Sequence, residues 1–154
     1  MLFDAPPLRH VCDFTVALSP IMEMGQGPAG LRRIIPIVGG TVEGDRIRGE
    51  ILDLGADWQT VFANGAAELD ARYAVRTHDG AIIEVRNLGV RHGPAEVMAR
   101  VAQGEDVDPA DYYMRSHLRL ETGDARYDWV NRTLFLGTGG RRAASVLLSI
   151  YEVG

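Results

Sequence analysis

The chain contains no lysine. All sixteen basic side chains are arginines, set against 21 aspartates and glutamates for a formal net charge of −5. An acidic chain repels the phosphate backbone of DNA and RNA, so no nucleic-acid partner is expected, although Arg72, Arg76, Arg115, Arg119 and Arg132 leave room for a local basic patch. Arginine also differs from lysine in kind, because its planar guanidinium matches carboxylates and aromatic faces. A lone cysteine, Cys12, excludes an internal disulfide and any zinc site built on several thiolates. No apolar run approaches the ~20 residues of a membrane span. Asp4, Pro6 and Pro7 interrupt the start, where a secretory leader would carry its apolar stretch. These absences predict a cytoplasmic protein with no membrane partner. No repeat, low-complexity tract or linker divides the 154 residues, so one domain over 1–154 is expected. A domain of this length buries roughly 70% of the surface its unfolded chain exposes, and needs no metal or disulfide to fold.

What the sequence does have is alternation. Residues 9–18 place His10, Cys12, Phe14, Val16 and Leu18 on one face. Residues 68–77 set Leu69, Ala71, Tyr73 and Val75 against Asp70, Arg72 and Arg76, and residues 112–122 set Met114, Ser116, Leu118 and Leu120 against Arg115, His117 and Arg119. Period two means strand. Further strands are read at 31–38, 41–53, 81–87, 127–136 and 143–153. Turns are read at Gly39-Gly40, at His78-Asp79-Gly80, at Gly123-Asp124 and over 137–142. Residues 19–30 read as a loop and 55–65 as a connector. Residues 94–103 form the one helix candidate, with Pro94 at its start and Gly104 just past its end. About eight strands and one short helix predict an all-β fold, an eight-stranded antiparallel β-barrel. Eight strands leave an interior that side chains fill or that holds one small ligand.

Chemistry-bearing motifs are few. Gly25-Gln26-Gly27-Pro28-Ala29-Gly30 spells a dinucleotide-binding turn, but that turn requires a helix after it, and a β-branched run with Pro36 follows instead. No cofactor is expected. The four histidines show no metal-ligand spacing. His10 and Cys12 share a predicted strand face yet lack a third ligand, so no metal is expected either. Acid–base chemistry stays open. Asp57 precedes Trp58 in the connector, and two readings stand. It is a rim carboxylate whose pKa apolar shielding lifts into a useful range, or it caps a turn beside a core tryptophan. Strand parity turns Tyr73 inward and Arg72 outward, unless a bulge intervenes. Arg115 faces out by the same rule, with ion pairs between strands as the plain account of both arginines. Trp129 and Asn131 share a face with Tyr127, Thr133 and Phe135. That face is a pocket wall with one orienting amide or a core face with a satisfied asparagine.

Several segments in order carry a resemblance. Arg33-Ile34-Ile35-Pro36-Ile37 leads to Gly39-Gly40, Gly44 and Gly49, then Gly55-Ala56-Asp57-Trp58. Asp70-Ala71-Arg72-Tyr73 and Thr77-His78-Asp79-Gly80 follow. Glu121-Thr122, Tyr127-Asp128-Trp129-Val130-Asn131 and Tyr151-Glu152-Val153 complete the series. Across nearly its whole length the chain resembles the bacterial and fungal family catalogued as domain of unknown function three-two-three-seven. The resemblance implies a small antiparallel β-barrel and leaves the activity open.

The functional expectation is a small-molecule-binding barrel that performs cofactor-free acid–base chemistry, such as isomerisation, hydration, elimination or cyclisation, on a small apolar or aromatic carbonyl compound. Asp57 is the expected acid or base, with Tyr73 and Arg72 beside it as catalytic groups. Trp58, Trp129, Asn131 and Arg115 are the expected substrate-binding residues. A non-catalytic carrier using the same lumen is the alternative. A homodimeric interaction module, pairing through outer residues such as Leu134 and Leu136, is the third reading.

Overall fold

Side chains alternate across a pleated strand, so a strand that is apolar at every second residue buries one face and wets the other. The computed structural model, which describes residues 1–154, assembles such strands into one ten-stranded antiparallel sheet. They are β1 (Leu8–Leu18), β2 (Met22–Gln26), β3 (Leu31–Glu43), β4 (Gly49–Ile51), β5 (Gly55–Val61), β6 (Ala67–Thr77), β7 (Ile82–His92), β8 (Tyr113–Glu121), β9 (Phe135–Arg141) and β10 (Ser145–Val153). Neighbours run β1, β10, β9, β8, β7, β6, then β4 and β5 in tandem, then β3, which returns to β1 and closes the cylinder. With β4 and β5 as one stave, this is a closed eight-stranded barrel; β2 hangs outside as the hairpin partner of β3. The expected fold class is the observed one.

Five local expectations are corrected. Gly39-Gly40 is not a turn, because β3 runs straight through it. Both neighbours of β3 change there: β2 and β5 flank its first half, β1 and β4 its second. A strand serving two pairs of neighbours must bend. The glycines supply the bend with φ of 156° and 132°, and a Cβ on Gly40 would collide with the Thr15 carbonyl. Residues 55–65 are not a mere connector, since β5 occupies most of them. Residues 127–136 are not a strand: a 3-10 segment spans Ala125–Arg132. The supposed turn at 137–142 lies largely within β9, where Gly139 sits so close to β10 that a Cβ would strike the Leu147 carbonyl. The loop expected over 19–30 also contains β2. Helix α1 (Ala95–Ala102) stands where it was expected, and Gly104, at φ 79°, turns the chain away after it.

The two ends of the barrel are closed differently. At one end the 3-10 segment buries Tyr127 and Val130 over a dense core that includes Phe14, Ile47, Val85, Leu120 and Phe135. Full burial of each such large side chain stabilises the fold by about 1.5–3 kcal/mol. At the other end α1 lies across the opening, with Val101 buried and Val97 and Met98 against the core.

Candidate functional site

Beneath α1 the inward positions of the staves turn polar. β5 contributes Asp57 and Gln59, β3 contributes Arg33, β6 contributes Tyr73, and β7 contributes Asn87 and Arg91. Ser116 of β8 and Arg141 of β9 complete the set. Gln59, Asn87, Ser116 and the three arginines are all buried. Five of these eight, Asp57, Gln59, Tyr73, Asn87 and Arg141, line a cavity of about 40 Å³, with Ile35, Leu69, Met114 and Leu148 among its apolar residues. A water needs roughly 10–15 Å³ on this measure, so the space admits a few waters or the head group of a small ligand.

A relay of hydrogen bonds crosses the site. Arg33 Nη2 donates to Gln59 Oε1 (2.7 Å), and Gln59 Nε2 donates to Asp57 Oδ2 (2.7 Å). The other carboxylate oxygen, Oδ1, accepts from the Asp70 backbone N–H (2.9 Å). This last bond has a local cause. β5 and β6 pair at Ala56↔Arg72 and Asp57↔Ala71 and again at Thr60↔Glu68, but not between. In that gap the Asp57 side chain takes the amide a continuous ladder would give to a backbone carbonyl. Gly55 is equally local. It lies opposite Tyr73, and a Cβ there would collide with the Arg72 carbonyl and with Tyr73 Cβ.

Burial pushes the Asp57 carboxyl above its ordinary range, outweighing the hydrogen bonds from Gln59 and Asp70 and the attraction of Arg91. Burial likewise raises the Tyr73 phenol, helped by Cys12 and Asp57. The Arg91 guanidinium is pulled down to about 10, first by burial and then by the like charges of Arg141 and Arg33. Arg141 is lowered for the same reasons, burial and then Arg33.

Four buried side-chain atoms in the molecule have no hydrogen-bond partner: Arg33 Nε, Tyr73 Oη, Asn87 Oδ1 and Ser116 Oγ. Each such atom costs about 1–3 kcal/mol, and native interiors seldom leave one. All four belong to inward positions of this barrel. Around the cavity itself, a buried carboxyl, an unpartnered phenol and an unpartnered amide oxygen are groups able to exchange a proton with a bound molecule and to hydrogen-bond its oxygen or hydroxyl.

Of the residues singled out in the sequence, Asp57 and Tyr73 line the cavity together. The other five do not reach it. Arg72 points outward by strand parity and pairs with Glu84 (3.1 Å), which also holds Arg86. Trp58, between the inward Asp57 and Gln59, faces out and is 45% exposed. Arg115 also faces out, donating to the Met114 carbonyl and lying over the Tyr113 ring. Trp129 and Asn131 sit on the 3-10 segment at the opposite end. Arg46 stacks on Trp129 at 3.6 Å, and Asn131 exchanges two backbone hydrogen bonds with Thr122. Segment 127–136 coils instead of extending, so its residues never present a common face to the lumen. His10 and Cys12 do not share a face either. A register shift separates them, leaving His10 exposed against Asp13 and Cys12 buried. No group of three or more His, Cys, Asp or Glu side chains gathers in a metal-holding arrangement, and no helix is long and apolar enough to cross a membrane. Leu134 and Leu136 are exposed on the outer wall.

Sequence reasoning missed Arg33, Gln59, Asn87, Ser116 as an orphan, Arg91 and Arg141. One signal was available. Arg33 alternates in phase with Ile35 and Ile37, and Asn87 and Arg91 continue the phase of Ile83 and Val85. Polar side chains in phase with a core face mark either a strand's end or a polar interior.

A family model described as "Protein of unknown function (DUF3237)" matches residues 6–153. A UPF0311 protein of Rhodopseudomonas palustris is 40% identical over 145 residues, covering 94% of this chain and 95% of that protein. Its crystal structure, described as that of a conserved protein of unknown function, superposes with a TM-score of 0.93 at 38% identity over 99% of this chain and 100% of that one. A beta-barrel like protein of Acinetobacter baumannii gives a TM-score of 0.86 at 42% identity, covering 99% of each chain. A protein described as an enzyme from Penicillium herquei shares the fold at a TM-score of 0.75 and 19% identity, over 100% of this chain and 98% of that one.

Proposed function

The chain belongs to the DUF3237 family, a membership that carries the barrel and leaves its chemistry open, and on that premise we propose that the lumen beneath α1 binds a small carbonyl compound and moves a proton on it, with Asp57 as the acid–base group. The observation carrying this reading is convergence: the one carboxylate whose pKa burial raises and all four unpartnered buried polar atoms face the same interior. Asp57 takes a C–H proton next to the carbonyl, and the bond's electron pair moves onto the oxygen. The free Tyr73 hydroxyl stabilises that oxygen. Asp57 then returns the proton at another position, so the net change is an isomerisation and needs no cofactor. That a fold relative is described as an enzyme agrees with a catalytic role for such a lumen.

The test uses a cell metabolite extract in D₂O, incubated with wild-type protein or with Asp57→Asn and read by mass spectrometry. Wild type is expected to deuterate or isomerise a defined compound. The variant, still folded by circular dichroism, is expected to do so about 10²–10⁴-fold more slowly. A compound that co-purifies and leaves unchanged in mass, isotope content and retention time would replace this reading with a carrier.

A further inference from the structure

We propose that Arg33, Arg91 and Arg141 form a carboxylate-recognition site, so that the compound handled in the lumen is a carboxylic acid whose anionic group sits among these guanidiniums, with its small reacting end toward Asp57 and its bulkier remainder in the groove beneath α1. The inference rests on the lumen being the binding site and adds the class of ligand.

Charge carries the argument. Arg33, Arg91 and Arg141 are the only buried basic residues, at 7%, 5% and 8% exposure. Ten of the sixteen arginines make ion pairs with carboxylates, and these three are not among them. The carboxylate bearing on them is Asp57, whose charge burial itself disfavours. Three positive groups against one carboxyl leave this end with an excess of at least two positive charges, even with Asp57 ionised. An unpaired buried charge is among the most destabilising features a fold can hold. Here three like charges gather at one place, and Arg33 keeps a buried Nε with no acceptor.

Position supplies the rest. Arg141 lines the lumen cavity. Arg33 and Arg91 line a groove of about 380 Å³ between the barrel and α1, where Ala95, Ala99 and Ala102 keep the helix side shallow. The arginines therefore stand between the two spaces. The lumen, at about 40 Å³, is too small for an aromatic nucleus, while the groove is within the usual range of ligand sites. A planar carboxylate meets guanidinium donors two oxygens at a time. A phosphate would carry further oxygens toward Asp57.

The test compares benzoate with its neutral isostere benzamide, and with inorganic phosphate, at one ionic strength and pH 7, by thermal unfolding. Benzoate at tenfold its dissociation constant is expected to raise Tm by roughly 3–6 °C, with benzamide and phosphate giving no comparable rise. Arg33→Met and Arg91→Met should each remove the response, and Arg72→Met, on the outer wall, should keep it. Ala99→Trp fills the groove from the exposed face of the helix while leaving all three arginines in the chain and should also remove it, which covers the case in which an arginine variant fails to fold. An equal rise with benzamide or phosphate overturns the proposal, as does a response that survives Ala99→Trp. Proton exchange on a neutral carbonyl compound without any benzoate response would sink this inference and leave the acid–base reading standing. A benzoate response without turnover of any compound would do the opposite.

Discussion

The two ends of this barrel contain similar side chains in opposite states. At the end closed by the 3-10 segment, polar groups are paired. Tyr127 Oη donates to Asp79 Oδ1 (2.8 Å), which also accepts from Thr77 Oγ1 (2.6 Å), and Arg126 bridges Asp79 and Asp124. At the end roofed by α1, Tyr73 Oη has no partner, three arginines lack ion pairs, and the Asp57 carboxyl is raised while Asp79 and Asp124 are lowered. The paired end is what a polar network becomes when selected for holding a fold together. The other end carries costs that stability alone does not explain, and that contrast marks it as the candidate site more firmly than any motif.

Large-to-small substitutions should split the two ends most widely. Phe135→Ala, in the dense end, is expected to cost about 3–5 kcal/mol, whereas Leu69→Ala, beside an existing cavity, should cost nearer ~2 kcal/mol. Chemical denaturation of both variants measures the difference, and equal losses would remove the distinction between a packed and an open end.

A tyrosine pair gives a smaller effect of opposite sign. Tyr127→Phe deletes a made hydrogen bond and should destabilise by about 1 kcal/mol. Tyr73→Phe deletes a buried hydroxyl with nothing to lose, so the denaturation midpoint should hold or rise by a comparable amount. A Tyr73→Phe variant as weakened as Tyr127→Phe would show that the phenol is satisfied in solution.

The carboxylates should separate by pH. Asp124 is lowered to about 2 by the hydrogen bonds of Arg126. Its stabilising contribution is therefore present above the unfolded value near 4 and lost as pH falls toward about 2. Asp57 is raised. Its protonated form is the one the fold prefers, so its contribution is present below about pH 4 and lost as pH rises through the folded value. Urea midpoints across pH should show Asp124→Asn flattening part of the acid-side loss and Asp57→Asn flattening the decline on the other side. Identical profiles for the two variants would end the comparison.

The same contrast explains what is legible in the sequence. Wherever the interior is apolar, alternation alone reads the strand, as in β1, β6 and β8. β5 is hidden because its inward residues are Asp57 and Gln59, and a strand that lines a polar interior loses the very pattern by which strands are found. The 3-10 segment deceives in the other direction. Tyr127, Trp129 and Val130 carry enough apolar character to imitate a strand, while Asp124, capping the segment through the Arg126 amide, is the local signal against it. The glycine pairs read as turns because their other use, letting two strands approach too closely for a Cβ, depends on partners far away in sequence. For the site, strand parity alone places Tyr73 inside and Arg72 outside. The arginine cluster is invisible to parity because Arg33, Arg91 and Arg141 come from three strands that meet only when the cylinder closes.

The bond between Asp57 and the Asp70 amide ties chemistry to mechanics. It is a seam stitch: one side chain holds two staves together across a gap in their ladder. Whenever Asp57 carries a proton, its carbonyl oxygen is a poorer acceptor and the stitch slackens; when the proton leaves, it tightens. The wall of the barrel thus changes stiffness with the protonation state of Asp57, and hydrogen exchange at the Asp70 amide reads that state out.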